Sequence, residues 1–431
     1  MSHLTSPLHI GRCDLKHRVV MAPMTRLRAS DEHIPQDMML EYYAQRASVP
    51  GTLLITEATF ISAKSRGRDE NAPGIYTHGQ IQGWKRITDE VHKRGSYIFM
   101  QLWHVGRAAR QRALDKAGLE MVSSSSIPIS DEHPTPRPMA TQEIWECIES
   151  FADAAKNAID AGFDGVELHG ANGYLIDQFI QDTSNRRTDE WGGSIENRSR
   201  FSLEVATAVC AAIGPDRTAM RLSPFSPFQG MRMRDPVPQF THIISNLRDL
   251  GLAYLHLIEP RVSGNADQAT DDAETLEFAL EAWQKAGPVI LAGGYTLQKA
   301  NEALGTFLKD QDAAFAFGRH FISNPDLPFR LANDIALAGY ERDTFYKVKS
   351  SDGYTDYSFS EAWRVSHVDH CEGRPKLFNG DSQLLLIEIS KKDLDVLSGS
   401  EGGYREPAAT GSPGHVGVLL IHEDDLLRSK Y

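Results

Sequence analysis

The feature that most restricts this chain is an alternation of short, unbroken apolar runs with longer stretches of helical periodicity. The runs are Arg18–Met24, Thr52–Phe60, Tyr97–Trp103, Phe163–His169, Thr218–Ser223, Ala253–Glu259, Pro288–Gly293 and Ala313–Gly318. They are rich in Val, Ile, Leu, Phe and Ala and are bounded by Gly, Pro or Asp. Strands apolar on both faces belong in a parallel sheet that is covered on both sides. Between them, Gln80–Arg94 sets Ile81, Trp84, Ile87, Thr88 and Val91 on one side and stops at Gly95, a suitable C′ residue. Glu143–Ala161 does the same with Ile144, Ile148, Phe151, Ala155 and Ile159, then meets Gly162. Asn197–Ile213, Gln239–Leu250 and Pro325–Ala338 follow the pattern.

Eight strands, each followed by a helical stretch, predict an α/β fold: a closed (β/α)8 TIM barrel with its reactive groups at the C-terminal strand ends. An open doubly wound sheet is the alternative. No GxGxxG opens a helix after the first strand, which counts against a dinucleotide-binding form of it. The barrel is expected over 1–363 and a C-terminal extension over 364–431. The extension holds apolar clusters at Leu384–Ile389 and Val416–Ile421, separated by a loop rich in Gly, Ser and Pro. It would add a hairpin to the barrel surface or stay partly disordered.

Charge narrows the partners. Lys+Arg of 45 against Asp+Glu of 58 leaves a net charge of -13, which repels phosphate backbones and argues against nucleic acid. No run approaches the roughly 18 to 20 apolar residues of a membrane helix. From Met1 to Ile10 no charged segment precedes an apolar one, so no secretory signal is read. Cys13, Cys147, Cys210 and Cys371 form no CxxC pair, which argues against zinc or a disulfide framework and for the reducing cytoplasm.

In a barrel, strand ends carry the chemistry. The fourth run ends Glu167-Leu168-His169 and continues through Asn172 to Tyr174. His169 and Asn172 can both donate to one oxygen, and a phenol nearby can protonate the adjacent carbon. Equally, the two could satisfy backbone groups in a tight turn. The seventh and eighth runs end in Gly293-Gly294 and Gly318-Arg319, where bare backbone and a guanidinium would suit a phosphate. Arg221, inside the fifth run, needs a partner: a bound anionic ring or a barrel carboxylate. Gln101, in the third, would be a ligand or a satisfied core amide.

From about Leu8 to Tyr357 these segments together resemble the Old Yellow Enzyme family of FMN-dependent ene-reductases, in its fungal and plant-type branch. The likeness is carried by Val20-Met21-Ala22-Pro23-Met24-Thr25-Arg26, Ile55-Thr56-Glu57-Ala58 and the stretch from Gln101 to Arg107. It continues in the long segment from Glu167 to Phe201 and in Phe317–Pro328. The resemblance implies that Pro23, Met24, Thr25 and Ala58 line the flavin, with Gln101 at its pyrimidine edge and Arg221 beside N1 and O2. It implies a phosphate held by Gly293, Gly294, Gly318 and Arg319, and a substrate pocket shaped by Trp103 and Tyr346. His169 and Asn172 would bind the activating carbonyl, and Tyr174 would give the proton.

The implied reaction is ping-pong. NADPH reduces FMN and leaves; an enone or enal then takes hydride at Cβ and a proton at Cα. A small-molecule substrate and a monomer or homodimer are the expected partners. Trp191 stands where the family commonly has tyrosine, a difference expected to matter only at the surface. Two rivals remain. A glycosidase would need paired carboxylates, for which Glu57 and Glu259 are the candidates. An isomerase on the same barrel would use the same binding residues, and some fungal relatives with phenylalanine at the Tyr174 position isomerise instead.

Overall fold

Strand pairing closes the sheet on itself. The computed structural model describes residues 3–68, 70–264, 266–267, 274–367, 384–388 and 418–422. Its barrel strands are β1 (Val19–Met21), β2 (Leu53–Ile55), β3 (Tyr97–Trp103), β4 (Gly165–Gly170), β5 (Thr218–Leu222), β6 (Tyr254–Ile258), β7 (Val289–Ala292) and β8 (Ala313–Phe317). Each pairs in parallel with the next, and β8 returns to β1, with Ala316 opposite Val20. That closure excludes the open sheet.

The two-residue period of a strand divides the core. On β2, Leu53 and Ile55 face into the barrel while Leu54 faces the helices; Val20 and Val19 divide β1 in the same way. The floor is sealed by an N-terminal hairpin, Leu8–Ile10 paired antiparallel with Cys13–Leu15. Its Leu8, Ile10, Cys13 and Leu15 pack under Phe99, Ala219, Tyr254 and Ile290. Outside lie α1 (Asp37–Arg46), α2 (His78–Lys93), α3 (Thr141–Asp160), α4 (Ile195–Ile213), α5 (Val237–Leu250), α6 (Glu277–Trp283), α7 (Leu297–Gly305), α8 (Arg319–Ser323) and α9 (Leu327–Ala332).

Caps explain where the helices begin. Helix α2 starts three residues before its apolar stripe because Thr77 accepts from the Gln80 amide while the Gln80 side chain accepts from the Tyr76 and Thr77 amides. Ser194 caps α4 likewise, and Glu143 reaches back to the Ala140 amide at α3. Gly95, at φ 70, takes the left-handed position after α2, where a side chain would be strained.

Three expectations need correction. The run Thr52–Phe60 is not one strand: it breaks at Thr56–Ala58 before the short strand Thr59–Phe60. There the hydroxyls of Thr56 and Thr59 both donate to the Glu57 carbonyl, and the Gln101 amide donates to Thr56 Oγ1. Past the Thr56 amide, which still donates to the Phe99 carbonyl, side chains take the place of the ladder. The helix expected over Pro325–Ala338 is confined to α9. Asp334 turns to φ 52, and the Asn324 carboxamide pairs with Ala338 to fold the chain back. Trp191 is not a surface residue; it is fully buried and meets Trp145 edge to face at 5.2 Å.

The chain divides into two units, Met1–Ser366 and His367–Tyr431. In the second, Leu384–Glu388 and Val418–His422 pair antiparallel, with Leu386 opposite Leu420. Residues 368–383, 389–417 and 423–431, Cys371 included, lie outside the described residues. Among the described residues no helix is long and apolar enough to cross a membrane.

Because the hairpin carries the barrel floor, Ile10→Ala should cost about 2 to 5 kcal/mol, the usual range for truncating a fully buried isoleucine. A denaturant melt would show it as a lowered midpoint. A midpoint equal to the parent's would mean that the hairpin is not part of the core.

Candidate active site

A cavity of about 950 Å³ opens at the carboxyl ends of the strands. Pro23, Met24, Thr25, Ala58, Gln101, His169, Asn172, Tyr174, Arg221, Gly293, Gly294, Gly318, Arg319 and Tyr346 all line it. Trp103 does not reach the wall. It is buried behind Tyr174, ring centroids 5.0 Å apart and edge to face, and stacks on Phe60 at 4.9 Å. Tyr346 is half exposed at the mouth. Neither Glu57 nor Glu259 lines the cavity, and among the described residues no carboxylate does. That removes the acid pair a glycosidase needs.

The end of β4 shows why two polar side chains are left over. Asn172 sits at φ 58, a conformation that asparagine tolerates better than most residues. The turn's own polar groups are satisfied from elsewhere. The Asn172 amide donates to Ser223 Oγ at 2.8 Å, Gln229 donates to the Asn172 carbonyl at 2.6 Å, and the Gly173 amide donates to Asp177 at 2.8 Å. Meanwhile His169 Nδ1 and Asn172 Oδ1 are buried with no hydrogen-bond partner. A buried polar atom without a partner is costly, so these side chains are set for something outside the fold. Burial, then Arg221 and His256, push the His169 pKa well below its ordinary value, so the imidazole is neutral. The Tyr174 ring lies 4.9 Å from it, and the Arg68 guanidinium stands over that ring, 5.8 Å from its centroid.

At the opposite end, the glycines have steric reasons of their own. A Cβ on Gly293 would stand 2.2 Å from Glu259 Cβ. Gly294 has φ +69 and Arg261 beside it, whereas a Cβ on Gly318 would meet Met24 Sδ only at an ordinary contact of 3.5 Å. With Arg319 this end could hold a phosphate. Gln101 and Arg221 could hold a polar ring. The Arg221 guanidinium is buried, its Nε has no partner, and burial pulls its pKa down although Glu167 pulls it up.

Two groups of residues escape a sequence reading. Under Gln101 and Arg221, the Glu167 carboxylate accepts from Gln101 Nε2 at 2.8 Å, from the Tyr254 hydroxyl at 3.1 Å and pairs with His256 Nδ1 at 2.7 Å. The signal existed, since Glu167 lies two residues before His169 on the same inward face. The second group is Arg26, Arg28 and Arg46. They are buried and donate to the carbonyls of Thr344, Phe345, Ser350, Gly353 and Tyr354, fixing the segment that brings Tyr346 to the mouth. Nothing in their spacing separates them from surface arginines.

A barrel that gathers arginines, bare glycine backbone and unsatisfied imidazole and carboxamide groups around one cavity is of the kind that carries a phosphorylated redox cofactor. Comparison with known proteins identifies which. The model of the NADH:flavin oxidoreductase / NADH oxidase family matches residues 3–338, and the chain belongs to that family. It is an FMN-dependent oxidoreductase of the Old Yellow Enzyme type. Its structure is similar to that of Old Yellow Enzyme from Pichia sp. AKU4542, with a TM-score of 0.77 at 40% identity over 84% of this chain and 94% of that one. A chanoclavine-I aldehyde reductase of Penicillium roqueforti is 56% identical over 84% of this chain and 97% of its own length. An NADP-dependent oxidoreductase of Aspergillus flavus is 52% identical over 84% and 97%. A probable inactive reductase of Epichloe festucae var. lolii is 50% identical over 84% and 96%.

Behind the cavity wall, Glu57 titrates near neutrality. Glu57 accepts from the Arg26 amide at 3.1 Å, and burial pushes its pKa up to about 7 against the opposing pull of Arg26 and Arg28. A raised carboxyl contributes stability that is fully present below 4.5 and is lost as pH rises through about 7. Glu57→Gln should therefore flatten the fall of stability across that window, read from melts at a series of pH values. An unchanged slope would remove Glu57 as its source.

Proposed function

We propose that this enzyme reduces the C=C bond of an α,β-unsaturated carbonyl compound, an enal or enone, with hydride drawn from NADPH. The observation that carries the reading is the juxtaposition at the end of β4: two side chains that each hold a buried, unpartnered polar atom, His169 Nδ1 and Asn172 Oδ1, and a phenol on one cavity wall. The aldehyde reductase at 56% identity favours an enal, and the NADP-dependent relative favours NADPH.

Gly293, Gly294, Gly318 and Arg319 would hold the FMN phosphate, and Gln101 and Arg221 the pyrimidine edge. Pro23, Met24, Thr25 and Ala58 would wall the ring. Bound FMN supplies the hydride, taken from the nicotinamide and passed to the alkene. The chain's own residues do the rest. Neutral His169 and the Asn172 carboxamide donate hydrogen bonds to the substrate's carbonyl oxygen, where negative charge grows as hydride adds at Cβ. Tyr174 gives its proton to Cα. Trp103, edge-on behind the phenol, holds it in place, and Tyr346 closes the mouth. NADPH and substrate use the same space in turn, which makes the kinetics ping-pong.

A flavin-binding barrel without net reduction, or one that isomerises, is the second reading; the relative named as a probable inactive reductase favours the absence of reduction. The presence of Tyr174 weighs against it, because a proton donor to Cα is what completes a reduction.

Tyr174→Phe should slow reoxidation by a weakly activated enone by about 100-fold, the low end of what general acids contribute, and leave flavin reduction by NADPH intact. Stopped-flow absorbance follows each half-reaction. Reoxidation at the parental rate would remove Tyr174 as the donor. Replacing His169 and Asn172 together by Ala should abolish phenol binding, seen as loss of the long-wavelength charge-transfer band; a surviving band would contradict the oxygen site.

A further inference from the structure

Beneath the proposed ring site, one carboxylate organises the polar residues of four strands. Glu167 is wholly buried at the centre of β4, opposite Gln101 on β3 and Ala219 on β5. Three groups converge on it: the Gln101 carboxamide, the Tyr254 hydroxyl and His256 Nδ1. An ionised carboxylate only accepts, so Gln101 must turn its N–H toward Glu167, which fixes the orientation of the amide. Burial alone would raise Glu167. The hydrogen bonds from His256 and Gln101, with the charge of Arg221, outweigh it and hold the carboxyl below its ordinary range. Burial pushes His256 down against the pull of Glu167, and Arg221 adds to the fall, so His256 faces Glu167 as a neutral imidazole. The charged groups of this layer are thus Glu167 and Arg221.

We propose that Glu167 is a positioning residue for the redox step, which orients Gln101 and partly offsets the Arg221 charge, and so sets the reduction potential of bound FMN. The proposal rests on the reading that Gln101 and Arg221 meet the flavin ring. Two-electron reduction makes the ring anionic near neutral pH. Arg221 stabilises that charge and Glu167, one layer lower in a dry interior, opposes it. Without the carboxylate the guanidinium acts unopposed, and the oxidised form is disfavoured.

The test is an anaerobic spectroelectrochemical titration of the full-length, FMN-loaded enzyme and its variants. Glu167→Gln, near-isosteric and neutral, is expected to retain FMN and bind reduced over oxidised flavin at least tenfold more strongly than the parent. That is about 30 mV upward for a two-electron couple. Tyr254→Phe is the second variant, because it removes one donor and leaves Gln101, His256 and Arg221 in place. Its Glu167 should take up a proton at higher pH, so its potential should climb above the parent's as the solution is made mildly acidic. With FMN bound, the parent's potential in Glu167→Gln, or in Tyr254→Phe at every pH from mildly acid to mildly alkaline, overturns the inference. Arg221→Gln separates the two levels of the argument. If it changes neither FMN affinity nor potential, the reading of the ring site falls; if it changes them while Glu167→Gln does not, only the role of Glu167 falls.

Discussion

Everything at the site depends on the closure of eight parallel strands and on the two-residue period of each. Closure sets all the C-terminal strand ends on one rim, and the period decides which residue at each end looks inward. On β4 these two facts put Glu167 and His169 on the inner face at successive heights, with Val166 and Leu168 facing the helices. On β5 they put Arg221 opposite His169, and on β6 they put His256 opposite Arg221. A slip of one residue in any strand would send its polar side chain into the helix layer and a leucine or valine into the cavity.

The electrostatics of the cavity run against those of the chain. The protein carries a net charge of -13, yet six arginines line the cavity and no described carboxylate does. Acidic residues are kept one step back: Glu57 behind the wall, Glu259 under Gly293, Glu167 beneath Gln101. An anionic cofactor that binds through both a phosphate and a ring meets donors at either end, and the surrounding acidity keeps other polyanions away. The buried arginines of the loop after β1 serve a separate purpose. With Arg46 they hold the segment from Thr344 to Tyr354 by its carbonyls, so the mouth residue Tyr346 is carried on an anchored strap.

The barrel was legible because buried parallel strands read as apolar runs, and all eight fell where such runs lie. Helix starts were less so, since Thr77 and Ser194 set them through cap hydrogen bonds and not through the apolar stripe. The break at Thr56–Ala58 and the short α9 escaped notice because side-chain hydrogen bonds, invisible to periodicity, decide both. Trp191 reads as a surface residue because a large aromatic in a polar, glycine-rich stretch gives no sign of which way it packs. At the site, His169, Asn172, Tyr174 and the residues after β7 and β8 stand out by position, whereas Pro23, Met24, Thr25 and Ala58 are legible only through the family resemblance; all of them line one cavity. Glu167, Tyr254 and His256 could not be paired that way: their meeting needs the lateral order of β4, β5 and β6, which only the closed sheet supplies.

The most direct test of the account is a crystal structure of the chain with FMN and a simple phenol bound. The account predicts the phosphate among Gly293, Gly294, Gly318 and Arg319, the pyrimidine edge at Gln101 and Arg221, and the phenol oxygen within hydrogen-bond distance of both His169 and Asn172. A flavin seated with its phosphate elsewhere, or a phenol oxygen turned away from that pair, would contradict it.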